Sequence, residues 1–197
     1  MTLKIGLTGS IGMGKSTTSK IFKDLGCDVW DADAAVHRLY EQGGAAVAPI
    51  QDLWPQAISD GAVSRDRLKD IISAESDALA KLEKIVHPLV RQDRADFAAH
   101  SKADCIVFDI PLLFETNSEG EFDAVVCVDV NPTLQRERVM ARGTMTEAQF
   151  EQILSKQMPN DEKVRRSDFR VRTDTLEMAE NDVKTVLETL KSGSDNA

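Results

Sequence analysis

The segment Gly9-Ser10-Ile11-Gly12-Met13-Gly14-Lys15-Ser16 fits Gly-x-x-x-x-Gly-Lys-Ser, a spacing suited to binding phosphate. The glycines let the backbone turn tightly enough to bring successive N–H groups onto one anion, and a helix starting there adds its positive end. Lys15 then reaches the β- and γ-phosphates of a nucleotide, where its charge can act on the group transferred. The Ser16 hydroxyl is a ligand for the Mg²⁺ that bridges the same phosphates. A glycine-rich turn that merely happens to contain Gly-Lys-Ser is the bland alternative. Context argues against it: Leu3 to Thr8 reads as a short buried strand and Lys15 to Leu25 as a helix, in the order such a loop requires.

Other residues could act on what the loop holds. Asp33 follows a second short strand, Cys27 to Trp30, and in parallel sheets the C-terminal ends of strands face the ligand crevice. A carboxylate there can orient an acceptor hydroxyl and take its proton, or it can simply cap the next helix, as could Asp31. Asp109 ends the apolar run Cys105 to Phe108 and suits an acid acting on Mg²⁺ through water or on a substrate; a hydrogen bond to the phosphate-loop backbone fits the same position. After it, Pro111-Leu112-Leu113-Phe114 offers either a substrate-holding apolar loop or plain core packing. Arg138 and Arg142 stand at i and i+4, so they share a helix face that can clamp phosphate or point to solvent. His87, before Pro88, has no suitably spaced His or Cys for a metal and reads as structural or surface-placed.

These residues need a scaffold, and strand-like runs alternating with helical ones predict a parallel α/β sheet flanked by helices. Its later strands are Cys105–Phe108, Ala124–Val128 and Phe169–Val171. Gly26 punctuates the first helix, and helical spacing resumes from Ala34 to Glu41. The long stretch before Cys105 exceeds one crossover. It contains an Asp60-Gly61 turn, then Ala78, Leu82, Ile85, Val86, Leu89 and Val90 at helical spacing, with Pro88 kinking one helix or opening another. A second insertion starts after Gly143, where Thr146 can cap a helix running to Gln157. The last helix covers Leu176–Leu190, and a polar tail follows from Ser192.

Composition narrows the class. The net charge is −9, which disfavours nucleic-acid and membrane-surface partners. Charge is unevenly spread: Arg136–Arg172 holds nine Lys/Arg against six Asp/Glu, while the remainder holds fifteen against twenty-seven. A cationic segment within an acidic chain suits a small polyanionic ligand, or else is a solvated helix face. No apolar run reaches the roughly 18 residues of a membrane span, the start lacks a secretory pattern, and a cytoplasmic address is expected. Cys27, Cys105 and Cys127 have no metal or redox spacing and read as small core residues.

The ordered set of Gly6-Leu7-Thr8-Gly9, Asp31-Ala32-Asp33, Gly61 with Arg65 and Leu68, Leu82-Glu83-Lys84-Ile85-Val86-His87-Pro88-Leu89-Val90, Asp109-Ile110-Pro111-Leu112-Leu113-Phe114-Glu115, Gln135 with Arg138 and Arg142, Gln157 and Asp168 resembles the dephospho-coenzyme A kinase family along nearly the whole chain. The resemblance implies a P-loop NTPase-like core of residues 1–60, 101–135 and 165–197. It further implies a helical substrate-binding insertion at 61–100 and a helical lid at 136–164. It implies transfer of the γ-phosphoryl group of ATP to the ribose 3′-hydroxyl of dephospho-coenzyme A. Carried over by position, Gly12, Met13, Gly14, Lys15, Ser16 and Thr17 hold the ATP phosphates and Ser16 the Mg²⁺. Asp33 serves the acceptor, with Arg65, His87, Asp109 and Leu112 near it, and Arg138 and Arg142 face the phosphates; Lys15, Asp33 and Arg142 are the catalytic set. A monomer is expected, with a weak oligomer left open. Met13 departs from the small residue usual there, and Arg170, Arg172 and Thr173 depart from the usual residues after the last strand. A nucleoside or nucleotide kinase is the nearest alternative. A guanine-nucleotide switch would need Asn-Lys-x-Asp and Asp-x-x-Gly, and neither is present.

Overall fold

In this computed structural model, which describes residues 2–194, the chain opens with β1 (Leu3–Thr8), an apolar run whose last four residues are buried. The glycine-rich loop follows, and α1 (Lys15–Asp24) begins at its end. Gly26 closes that helix: its φ is 92°, its N–H meets Lys23 O at 3.0 Å, and the Cys27 N–H meets Phe22 O at 3.1 Å. Those are the two bonds of a Schellman motif, and its left-handed residue costs a glycine little. β2 (Asp28–Asp31) then runs straight into α2 (Ala32–Tyr40), one residue later than expected for the strand and two earlier for the helix.

Two compact units make up the chain, one of residues up to Val29 and from Lys102 onward, the other of Trp30–Ser101. The helical unit thus starts at Trp30, not near residue 61. The reason is apolar packing: Leu39 and Tyr40 of α2 and Ile50 of α3 (Val47–Leu53) share a core with Trp54, Leu68, Leu82 and Val86. Within this unit β3 (Ile58–Ser59) and β4 (Ala62–Val63) form a two-residue hairpin. Asp60 and Gly61 take φ of 51° and 76°, the pair of positive values a type I′ turn requires. α4 (Arg65–Ala74) is capped by the Ser64 side chain. Pro88 lies inside one 23-residue helix, α5 (Ala78–His100), and opens no second one.

The other unit is built on a sheet of order β2-β5-β1-β6-β7, where β5 is Cys105–Asp109, β6 is Ala124–Asp129 and β7 is Phe169–Arg172. The β1–β5, β1–β6 and β6–β7 pairings are all parallel, with Leu7 opposite Asp109 and Thr8 opposite Cys127. Thr8 therefore delivers the loop at the C-terminal edge of the central strand, where α/β sheets bind ligands. Ile5, Leu7, Phe22, Val126, Val128 and Val171 form the core with Val183 and Val186 of α9 (Leu176–Ser194). The polar tail expected from Ser192 is helical to Ser194, and Asp195, Asn196 and Ala197 lie outside the described residues. Between β6 and β7 come α6 (Pro132–Ala141), α7 (Glu147–Lys156) and α8 (Asn160–Arg166). Thr146 and Gln149 form a reciprocal capping box at the start of α7. Arg136 fastens α7 to α6 by pairing with Glu147 and Glu151 and lying 5.5 Å over the Phe150 ring. No helix among the described residues is long and apolar enough to cross a membrane.

Candidate active site

Close packing imposes the glycines of the loop. Gly12 and Gly14 take φ of 78° and 91°, and a Cβ on Gly12 would stand 2.5 Å from Val139 while one on Gly14 would stand 2.9 Å from Thr173. Between them, Met13 turns its side chain into the core, where it is 4% exposed. Its carbonyl accepts the Thr173 hydroxyl at 2.6 Å and its N–H meets Ser10 O at 3.2 Å, so here Met13 anchors the loop from below.

At the start of α1 the cap is Gly14, which offers no side chain, and the first turn carries no acid. The N–H groups of Lys15, Ser16 and Thr17 have no partner within the helix, so its positive end is open to an anion. Ser16 and Thr17 are exposed, and the Ser16 hydroxyl has no partner among the described residues. Lys15 ion-pairs with Asp109, whose side chain is 2% exposed. Asp109 thus meets the loop's lysine, a partner 94 positions away in the chain. The Leu7–Asp109 register and an Ile110 N–H bond to Leu7 O at 2.9 Å hold it beside the end of β1.

The Pro111–Phe114 segment is packed into the core for two residues and exposed at one. Leu113 and Phe114 are buried in a small cluster with Val125, while Leu112 is 44% exposed. The Pro111 carbonyl accepts the Thr8 hydroxyl at 3.1 Å and Lys163 Nζ at 2.9 Å. Lys163 is wholly buried and pairs with Glu115 at 2.8 Å; Glu115 also accepts the Met158 N–H at 2.9 Å. Burial pushes the Glu115 carboxyl up, but the bonds from Lys163 and Met158 outweigh it and hold it below its ordinary value of 4.5. Arg166 lies 4.6 Å over Phe114 and pairs with Glu119.

The two arginines part company. Arg138 donates to the carbonyls of Thr173 at 2.7 Å and Asp174 at 3.2 Å, tying α6 to the turn after β7. Arg142 is the exposed C-terminal cap of α6 and has no partner among the described residues. Their shared face is therefore split between a structural bond and a free cation.

In the helical unit, Asp31 takes the cap of α2, accepting the Ala34 N–H at 2.7 Å. Asp33 sits exposed in the first turn, with no bond or ion pair among the described residues. The turn that carries it is fastened on both sides. Trp30 Nε1 donates to Asp93 at 2.7 Å and Arg38 to the same carboxylate at 2.6 Å. Burial raises the Asp93 carboxyl, and the Arg38 and Trp30 bonds outweigh it to leave it below 3.8. Arg65 is exposed with its guanidinium 5.9 Å over the ring of the buried Tyr40, and His87 is exposed on α5. Asp33, Arg65 and His87 thus belong to the helical unit, and Lys15, Asp109, Leu112, Arg138 and Arg142 to the sheet unit.

The family model for dephospho-CoA kinase matches residues 3–178. The chain belongs to that family. The dephospho-CoA kinase of Ruegeria pomeroyi is 59% identical over 197 residues, the whole of both chains. A crystal structure from Thermus thermophilus aligns with a TM-score of 0.84 at 32% identity, covering 96% of this chain and 98% of its own. The dephospho-CoA kinase of Campylobacter jejuni shares the fold, with a TM-score of 0.71 at 20% identity over 98% of this chain and 100% of its own.

Several of this kinase-family chain's site contacts had no assigned role in sequence. Gln135, Gln157 and Asn160 bond to the leading half of the loop: Gln135 Nε2 reaches Ile11 O at 2.6 Å, Gln157 accepts the Ile11 N–H at 3.2 Å, and Asn160 accepts the Ser10 N–H at 3.1 Å. A cavity of about 560 Å³ opens on this side, lined by Ser10, Met13, Gln135, Asn160 and Arg170 among others, and by none of Lys15, Ser16 or Thr17. Lys163 was equally hidden, because a lysine in a polar helical stretch is ordinarily solvated.

Proposed function

We propose that the protein transfers the γ-phosphoryl group of ATP to the ribose 3′-hydroxyl of dephospho-coenzyme A, releasing ADP and coenzyme A. The observation that carries this reading is the uncapped start of α1, with Lys15 and a free Ser16 hydroxyl at its mouth, in a chain of this family. The bond from the γ-phosphorus to the ADP oxygen breaks, a new ester bond forms to the 3′-oxygen, and the hydroxyl proton leaves. Such a loose transition state needs mainly alignment and charge stabilisation. Gly12 to Thr17 hold the phosphates, and Lys15 neutralises charge as it moves to the leaving oxygen. Asp33, an exposed acid with no competing bond, orients the 3′-hydroxyl and accepts its proton. Arg65, His87, Asp109 and Leu112 are assigned to the acceptor by their match to the family's motifs.

Mg²⁺ would neutralise the β- and γ-phosphates when bound. It commonly keeps several waters and takes one or two protein ligands beside the phosphates, so a single free hydroxyl at Ser16 fits it. No cluster of three or more acids, histidines or cysteines suited to a metal occurs among the described residues, and a phosphate-held ion needs none. Residues 136–164 act as a lid that brings Arg142 to the phosphates once both substrates are bound, which keeps water from competing for the phosphorus. The deciding assay measures ADP release with and without dephospho-coenzyme A, and identifies the 3′-phosphorylated product by mass. ATP turnover indifferent to the acceptor would reject the assignment.

A further inference from the structure

We infer that Gln157 and Asn160, at the junction of α7 and α8, are positioning residues that hold the leading half of the phosphate loop and thereby set the affinity for ATP. The backbone donors of Ser10 and Ile11 end on these two side-chain oxygens, at 3.1 and 3.2 Å. Gln135, 5% exposed, donates to the Ile11 carbonyl at 2.6 Å and closes the third corner. The orientation of the Asn160 amide is dictated by its surroundings. Its Nδ2 faces two acceptors, the Asp129 carboxylate at 2.9 Å and the Val128 carbonyl at 3.2 Å, so its oxygen must face the Ser10 N–H.

This arrangement divides the loop by task. Ser10 and Ile11 have spent their backbone donors on protein and have no backbone N–H left for phosphate. The first-turn donors of Lys15, Ser16 and Thr17 remain open. A loop with glycines at positions 9, 12 and 14 loses much conformational freedom when it closes on an anion, and side chains that fix its leading half in advance remove part of that cost. Gln157 caps the C-terminus of α7 and Asn160 opens α8. The intervening Met158 N–H is bonded to Glu115, so the junction is itself immobilised. Any displacement of that junction is felt at Ser10 and Ile11, which no contact within the loop alone would achieve.

The inference rests on Gly12 to Thr17 being the phosphate cradle, and the test separates the two. Gln157→Met keeps the length of the side chain and removes its oxygen. ATP affinity, measured by calorimetry without acceptor, should fall about tenfold, the equivalent of one lost hydrogen bond. Affinity for dephospho-coenzyme A should stay within about twofold of the parent, since only the nucleotide loop is disturbed. Amide exchange at Ser10 and Ile11 should quicken while β6 and α9 keep their protection. Asn160→Ala gives a second measurement should Gln157→Met fold poorly. Unchanged ATP affinity with unchanged exchange overturns the inference, and so does a loss of protection spread equally through β6 and α9. Lys15→Ala is run alongside. If it leaves ATP affinity intact, the cradle assignment and the inference both fall; if it abolishes binding while Gln157→Met leaves ATP affinity at the parent value, the inference alone falls.

Discussion

Replacing Lys163 by methionine tests whether α8 holds the Pro111–Glu115 loop in place by charge. Lys163 is 0% exposed and its partner Glu115 20%, so the substitution strips the cation from a pair mostly shielded from water. Breaking one partner of a fully buried pair costs about 3–5 kcal/mol, because the other charge is stranded. Glu115 retains the Met158 N–H, and Pro111 O retains the Thr8 hydroxyl, which lowers the expected loss to about 2–3 kcal/mol. At about 2–4 °C per kcal/mol for a chain of this size, the thermal midpoint should fall by about 4–12 °C. A double-mutant cycle with Glu115→Gln should show a coupling of at least about 1 kcal/mol. Acid supplies a further check. The folded Glu115 carboxyl lies below its ordinary 4.5, so as pH falls the unfolded chain takes up this proton first. The stabilisation from the pair is therefore complete above about pH 4.5 and disappears as pH drops through the folded value. Parent and variant should converge in stability there. A midpoint lowered by less than about 2 °C, or additive single losses in the cycle, would refute the reasoning.

Lys15→Ala should abolish phosphoryl transfer with the circular dichroism spectrum retained, but it should also lower the thermal midpoint, because Asp109 at 2% exposure loses its ion pair; Lys15→Ala/Asp109→Asn should recover stability without turnover, and full activity in the single variant would defeat the phosphate-loop assignment. Asp33→Asn should cut single-turnover transfer by roughly 10²- to 10⁴-fold while ATP affinity is retained, and a rate within about threefold of the parent would end its role as base. Arg142→Ala should slow transfer more than it weakens acceptor binding, and exchange across residues 144–163 should slow only when ATP and acceptor are bound together; exchange indifferent to both ligands, with turnover preserved, removes the lid.

What the sequence displayed was local. The phosphate loop, the Gly26 stop, the Asp60-Gly61 turn and the Thr146 cap each follow from a few neighbouring residues with one backbone need, and each is found in place. Asp31 against Asp33 was harder, because either acid suits a helix start and only the hydrogen bond to Ala34 assigns the cap. The short α3 and α8 carry too few turns for apolar periodicity to show. Trp30–Asp60 looked like part of the core because its membership of the helical unit depends on packing with residues far along the chain. The bonds of Gln157 to Ile11, Asn160 to Ser10 and Lys163 to Pro111 were out of reach for the same reason: each joins a polar side chain to a backbone group 52 to 150 positions away, and no period or spacing marks such pairs.

The position of β1 at the centre of the sheet has a consequence for the order in which a newborn chain can fold. Its two neighbours, β5 and β6, are Cys105–Asp109 and Ala124–Asp129, whereas the helical unit is one continuous stretch ending at Ser101. As the chain leaves the ribosome at about 5–20 residues per second, the helical unit is complete before the first strand acquires either neighbour. The amino-terminal strand and the glycine loop must wait, made first and seated late. Gln135, Gln157 and Asn160, which brace the loop, emerge later still. A nucleotide thus finds no finished seat until most of the chain has been translated.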